Sequence, residues 1–415
     1  MRTRQRGSRP GLLPVAAALL GATALLAGCG GGGPAWHGPG DKVTAKDAAP
    51  DITVNQPVND ATGVPTSVEI TYTTPGETRP TVELTAADGS TVTGALRLDA
   101  ASWLPDKQLK YDTRYTAKVS ATVRGKVQTE TVAFTTMPKP ASLVRVSSVV
   151  GDDQVVGVGM PLILTLSADV AKAQRADVQR RLFVTSDPPQ PGAWNWFNAH
   201  EVHYRPKEYW TAGTKVSLRA ALGGLPIGNS RYTSNDLTVR AVIGPSLIMK
   251  VDNATKQMTV VQDGQVIRTI PVSLGKASSP SASGNMIVMI KSAEELFDST
   301  TYGVPADSKD GYKTLVKFVQ RITWDGEYIH AAPWSEADQG HRNVSHGCTN
   351  ISMANAGWLF SVTHVGDPVI VTGTEEHLKW GNGYTDWDIS FEEYTKGGAT
   401  PASPSPSLSP APSRS

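Results

Sequence analysis

Cys348 is one of only two cysteines in a chain of 415 residues, and it sits in the stretch NVSHGCTNIS, residues 343–352. His346 lies two residues before it and Asn350 two residues after it. A thiol in that setting is a nucleophile, a metal ligand or a buried structural group. The thiolate is the attacking form, so a nucleophilic reading needs a base or a positive field nearby. His330, His341, His346 and His364 are the candidate bases. The backbone N–H groups around Gly347 and Cys348 are candidate donors to a developing oxyanion. His330, His341, His346 and Cys348 are also ligand types for zinc, but the chain has no C-x-x-C pair, and H-x-C fits the usual structural spacings poorly. The polar, Gly-rich surroundings argue against a bland core cysteine.

The other cysteine bears on this choice. Arg2, Arg4, Arg6 and Arg9 precede the uncharged run GLLPVAAALLGATALLAG, which has the layout of an export signal. The run ends in LLAGC and resembles the signal of bacterial lipoproteins. That resemblance implies cleavage before Cys29, a lipid on Cys29, and a protein held at the outer face of the cell membrane, within the cell wall. Cys348 then has no disulfide partner. An exported chain that keeps one free thiol keeps it for reactivity.

The elements that must hold this thiol are mostly strands. GGGGPAWHGPG after Cys29 reads as a flexible spacer, so residues 1–28 are the signal and 29–50 a linker. From residue 51 the pattern has period two: Val68, Ile70 and Tyr72, then Tyr115, Ala117, Val119, Ala121 and Val123, with RGK as a turn before Val132 and Phe134. Residues 51–140 and 141–245 are expected to be two immunoglobulin-like β-sandwiches acting as spacers. The aromatics of PPQPGAWNWF are expected to be core. A third, β-rich domain over 246–373 opens with GPSLIMKVD and continues through a hairpin at Asp263-Gly264 and strands in NMIVMIK and DPVIVTG. The long polar loop FDSTTYGVPADSKDGYK within it is of the length that carries function. A short helix is expected from Ser352 to about Gly366, with Ile351, Trp358, Leu359 and Val362 on one face, placing Cys348 just before a helix N-terminus whose dipole favours a thiolate. Residues 374–398 form a C-terminal subdomain, and the Pro/Ser tail 399–415 is expected to be disordered. The net charge of +1 argues against nucleic acid as a main partner.

The stretch HAAPWSEADQGHRNVSHGCTN is similar to the signature of the L,D-transpeptidases with a YkuD-type catalytic domain: a His, a short spacer, then Ser-His-Gly-Cys-x-Asn. Here fourteen residues separate His330 from Ser345. STTYGVPADSKDGY is similar to the substrate lid of the actinobacterial members, which share the lipoprotein signal and two immunoglobulin-like modules. The resemblance implies that Cys348 is the nucleophile and His330 the general base, later the acid. It implies that His346 and Gly347 shape the nucleophile loop, that Asn350, Tyr302 and Tyr312 meet substrate, and that Asp325 and Gly326 line the groove. It implies 3→3 cross-linking of peptidoglycan stems, from a tetrapeptide donor to a diaminopimelate amine, with no metal or organic cofactor and with covalent inhibition by carbapenem-type β-lactams. Two positions depart from the pattern. Ala331 replaces a frequent Ser, so only its backbone carbonyl is left to orient the imidazole, and Thr349 replaces an aliphatic residue. A wall cysteine peptidase and a non-catalytic wall-binding lipoprotein are the alternatives.

Overall fold

The computed structural model describes residues 52–75, 79–97, 101–302, 305, 307–308, 311, 313–399 and 409–410. The expected signal, Cys29 and the linker lie outside them. Among the described residues no helix is long and apolar enough to cross a membrane.

Strict alternation produces the first sandwich. On strand Arg114–Val123 the five odd-numbered residues from Tyr115 to Val123 are buried. Arg124 and Gly125 both take positive φ, 51° and 77°, which lets the chain reverse tightly into Lys126–Thr136. These two strands are flanked by Ala61–Val64, Thr81–Ala86 and Thr91–Val92. The facing sheet holds Thr53–Gln56, Ile70–Thr73, Ser102–Pro105 and Gly94–Arg97, with Ser409–Pro410 of the C-terminal tail along its edge. The second sandwich packs Val146–Ser148, Leu162–Leu166, Glu201–Pro206 and Gly192–Trp196 against Gln154–Val156, Leu237–Ile243, Lys215–Ala220 and Leu182–Asp187. Trp194 and Trp196 are buried in its core, as the sequence suggested.

The joints between modules are built from buried charge and aromatic surface. Glu69 of the first sandwich accepts from Arg97 at 2.7 Å, Ser102 at 2.7 Å and Arg180 of the second sandwich at 2.6 Å. At the next joint the subdomain 374–398 docks on the second sandwich. His203 sits between Asp386, at 2.9 Å, and Glu201, at 2.7 Å, with Phe197 stacked on its ring. Arg205 is enclosed by Trp387, Phe391 and Tyr394, and Ile287, Met289 and Tyr384 join the sandwich core. The second sandwich thus shares its core with residues of the third domain, while the first sandwich keeps a core of its own.

In that domain six strands pair in the order Gln265–Pro271, Gln257–Gln262, Leu247–Asp252, Pro368–Thr372, Ala282–Ile287 and Glu376–His377. The first two form the expected hairpin, with Asp263 and Gly264 at φ 48° and 80°. A second sheet holds Ile290–Asp298, Lys313–Arg321, Tyr328–Ala331 and Thr349–Ile351. NMIVMIK is therefore not one strand: it crosses from one sheet to the other at Val288-Met289. The helix Met353–Val362 packs on the second sheet, and its Ala356 and Leu359 enter the core common to both. Ser352 caps it, accepting from Asn355 N at 3.3 Å. It stops at Thr363, short of the expected Gly366.

Candidate active site

Strand parity decides which side chains meet. Tyr328–Ala331 and Thr349–Ile351 pair in parallel, with Ile329 opposite Thr349 and His330 opposite Asn350. Successive side chains alternate across a strand. Ile329, Ala331 and Ile351 turn into the core, at 1% exposure or less. His330, Cys348 and Asn350 take the other face and line a cavity of about 360 Å³. Two histidines of the sequence reading stand apart from it: His341 is exposed, and His364 lies beside Asp367.

The loop carrying Cys348 is held by its carbonyls. Lys276 N donates to Ser345 O at 2.9 Å, Ser279 Oγ to His346 O at 2.8 Å and Ser281 Oγ to Gly347 O at 2.6 Å. Ser345 Oγ donates to Cys348 O at 2.6 Å and accepts the Gly347 N–H at 3.2 Å. Gly347 has φ +125°, a region costly for any side chain, which accounts for glycine there.

His330 Nδ1 lies 2.9 Å from the carbonyl of Ala331. The carbonyl only accepts, so the proton sits on Nδ1 and Nε2 keeps its lone pair. This is the backbone substitute for the missing side chain at 331. Burial pushes the imidazole down to about 4, with the Ala331 carbonyl opposing. Burial pushes the Cys348 thiol up to about 12, and the Glu327 carboxyl adds to the rise, while the Tyr328 N–H opposes it. At neutral pH the resting pair is therefore thiol and imidazole, with the proton still to be moved. His346 is exposed, and its Nε2 faces the Lys276 ammonium at 3.0 Å. An ammonium only donates, so that nitrogen is already an acceptor.

One expectation needs correction. Cys348 does not adjoin the helix N-terminus, because the three-residue strand Thr349–Ile351 lies between them. At roughly 3.3 Å per residue the thiol is about 13 Å away, beyond the reach of a helix dipole, which fades within a turn. Asp325 and Gly326, expected to line the groove, lie in the turn that leads into Tyr328–Ala331. Gly326 O accepts from the Cys348 thiol at 3.7 Å, and Asp325 N donates to Asn382 at 3.0 Å. Asn350 does line the cavity and is fixed by Ser335 Oγ at 3.1 Å. The loop expected to act as a lid leaves from the hairpin of Ile290–Asp298 with Lys313–Arg321. Tyr302 closes a short helical turn, Ser299–Tyr302, and Tyr312 lies outside the described residues.

The sequence reading missed the aromatic wall. Phe297 meets the His330 ring edge-on at 5.2 Å, and Trp334, 59% exposed, tilts over it at 6.0 Å. A tryptophan so exposed beside a polar signature is a signal legible in PWSEADQ. Among the described residues, no three His, Cys, Asp or Glu side chains gather as metal ligands would.

The chain is similar to known proteins along most of its length. Residues 61–226 match the bacterial Ig domain family, and residues 247–371 match the L,D-transpeptidase catalytic domain family. L,D-transpeptidase 2 of Mycobacterium tuberculosis is 33% identical over 406 residues, covering 96% of this chain and 97% of that protein. L,D-transpeptidase 1 of the same species is 35% identical over 256 residues, covering 61% of this chain and 96% of that protein. A solved L,D-transpeptidase in complex with imipenem is 35% identical, covering 56% of this chain and all of that one, with a TM-score of 0.48. Matched along nearly its whole length, and carrying its thiol and imidazole within the matched catalytic domain, this chain belongs to the L,D-transpeptidase family.

Proposed function

We propose that the protein cross-links peptidoglycan stems through an acyl-enzyme on Cys348, from a lipid anchor on Cys29. The observation that carries the chemistry is the Ala331 carbonyl on His330 Nδ1. It fixes the tautomer whose Nε2 can take a proton. Cys348 Sγ attacks the carbonyl between the L-centre of diaminopimelate and the terminal D-alanine. The S–C bond forms as the thiol proton passes to Nε2. The C–N bond then breaks, D-alanine leaves with that proton, and a thioester remains. The amine of a second stem attacks the thioester and gives its proton to His330, and the proton returns to sulfur as the thiol leaves. Two neutral groups suit this cycle, because charge appears only during reaction, inside a wall formed by Phe297 and Val316. Asn350 and Trp334 line the cavity, which supports a role for them in holding the stem peptide.

The full-length Mycobacterium tuberculosis relative and the domain order support this substrate class. The rigid joints at Glu69 and His203 support a spacer that carries the third domain a fixed distance from the membrane. Product analysis tests the reading. Purified protein with disaccharide-tetrapeptide is expected to yield 3→3 dimers with release of D-alanine. Free tripeptide alone, even with added amine acceptor, would mark a peptidase instead.

A further inference from the structure

Glu327 is a half-buried carboxyl next to the nucleophile loop that the reaction above leaves unused. It precedes Tyr328–Ala331, so the chain that presents His330 also presents it. Its Oε1 accepts from Ala282 N at 2.9 Å. Its Cγ lies 3.6 Å from where a β-carbon on Gly347 would stand, so its stem lies against the residue before the nucleophile. Ala282 ends the segment 276–281 whose donors hold the carbonyls of Ser345, His346 and Gly347. One side chain thus joins the clamp, the loop and the strand that bears the imidazole.

We infer that Glu327 is a positioning residue for the nucleophile loop, whose neutral form seats Gly347 and whose ionised form suppresses Cys348. This rests on Cys348 being the nucleophile. The charges that bear on Glu327 are Asp325 on its own turn and Glu376 on the adjoining edge strand, and it bears in turn on the Cys348 thiol. Glu376 is itself paired with Lys379 at 3.1 Å. Burial first, then Asp325 and Glu376, raise the carboxyl to about 8, although the Ala282 N–H opposes the rise. The group is thus neutral at pH 6.5 and mostly charged by pH 9.5. A negative charge on Glu327 resists thiolate formation at Cys348, and one nearby like charge shifts a titration by about one unit, roughly tenfold in reactive fraction.

The test is iodoacetamide labelling of the full chain between pH 6 and 10, read by mass spectrometry on the peptide containing Cys348. Wild type is expected to show a flattened rise between pH 7 and 9. Glu327→Gln keeps an acceptor for Ala282 N but cannot ionise. Its rise is expected to be uninterrupted, ending about fivefold or more above wild type at pH 9.5. Glu327→Ala, which loses the link to Ala282, is expected to label with altered rate at every pH. Superimposable profiles for wild type and Glu327→Gln would overturn the inference, since a merely structural side chain would leave the pH dependence alone. Labelling reports the thiol whether or not it transfers acyl groups. A failure here therefore removes Glu327 only, whereas absence of an acyl adduct on Cys348 would remove the proposed function.

Discussion

Protonating His330 is expected to stop acylation and weaken the fold in the same pH window. The ring is 3% exposed, and its burial lowers the pKa from 6.5 to about 4. That difference corresponds to about 3 kcal/mol between the charged and neutral forms. The folded pKa lies below the unfolded one, so between pH 6.5 and 4 the unfolded chain binds more protons. The penalty is absent above pH 6.5, grows as pH falls, and is complete below about 4. Acylation of Cys348 by a carbapenem, followed by stopped-flow absorbance, should therefore stay flat as pH drops through 6.5, where an ordinary histidine would already be charged. It should collapse near pH 4. Urea unfolding should show wild type losing stability over that window relative to His330→Gln, which has no proton to gain. His330→Gln should also lose about 10²–10⁴-fold in acylation rate, the usual worth of a general base. An acid limb at pH 6–7 that disappears in His346→Gln and persists in His330→Gln would refute the reasoning and move the base to His346.

Three further outcomes follow from particular contacts. Ala331→Ser should change turnover by less than about tenfold, because the backbone carbonyl already orients the imidazole; a larger gain in kcat would show that this site lacks an orienting group. Asp386→Ala should cost about 3–5 kcal/mol in urea unfolding at pH 7, since it removes the fully buried one of the two carboxylates that hold the buried His203. Burial opposes the charge on His203, but Asp386 and Glu201 outweigh it and raise the ring to about 9, so the pair's contribution is full below pH 6.5 and lost as pH rises through 9. The stability gap between variant and wild type should narrow there, and a constant gap would count against a charged His203. Cys29→Ala should move the protein from the membrane fraction to the soluble one with its acylation rate intact; a variant that stays membrane-bound would exclude the lipid as the tether.

What could be read from the sequence was local. Asp263-Gly264 announces its hairpin because both residues tolerate positive φ, and the alternation from Tyr115 to Val123 announces a half-buried strand. His330 and Cys348 are legible because a handful of fixed residue types recur at fixed spacing. The thiol's surroundings were less legible. Thr349–Ile351 is three residues long and carries no periodic signal, so the helix was placed against Cys348. Glu327 reads as an ordinary turn carboxylate until Ala282, 45 residues away, is folded against it. Trp387 and Tyr394 look like the contents of a small terminal subdomain. Their partners Gly159 and Asn195 lie about two hundred residues earlier, so no local pattern shows that they seal the joint to the second sandwich.

The central claim is a thioester on Cys348 between two stem peptides. It is tested most directly by acid-quenching the protein with disaccharide-tetrapeptide and mapping the adduct by mass spectrometry. The account predicts the disaccharide-tripeptide acyl group on the peptide containing Cys348, its disappearance when an amine acceptor is added, and no adduct or dimer with Cys348→Ala. Dimer formation by Cys348→Ala, or an acyl group on any other residue, would contradict it.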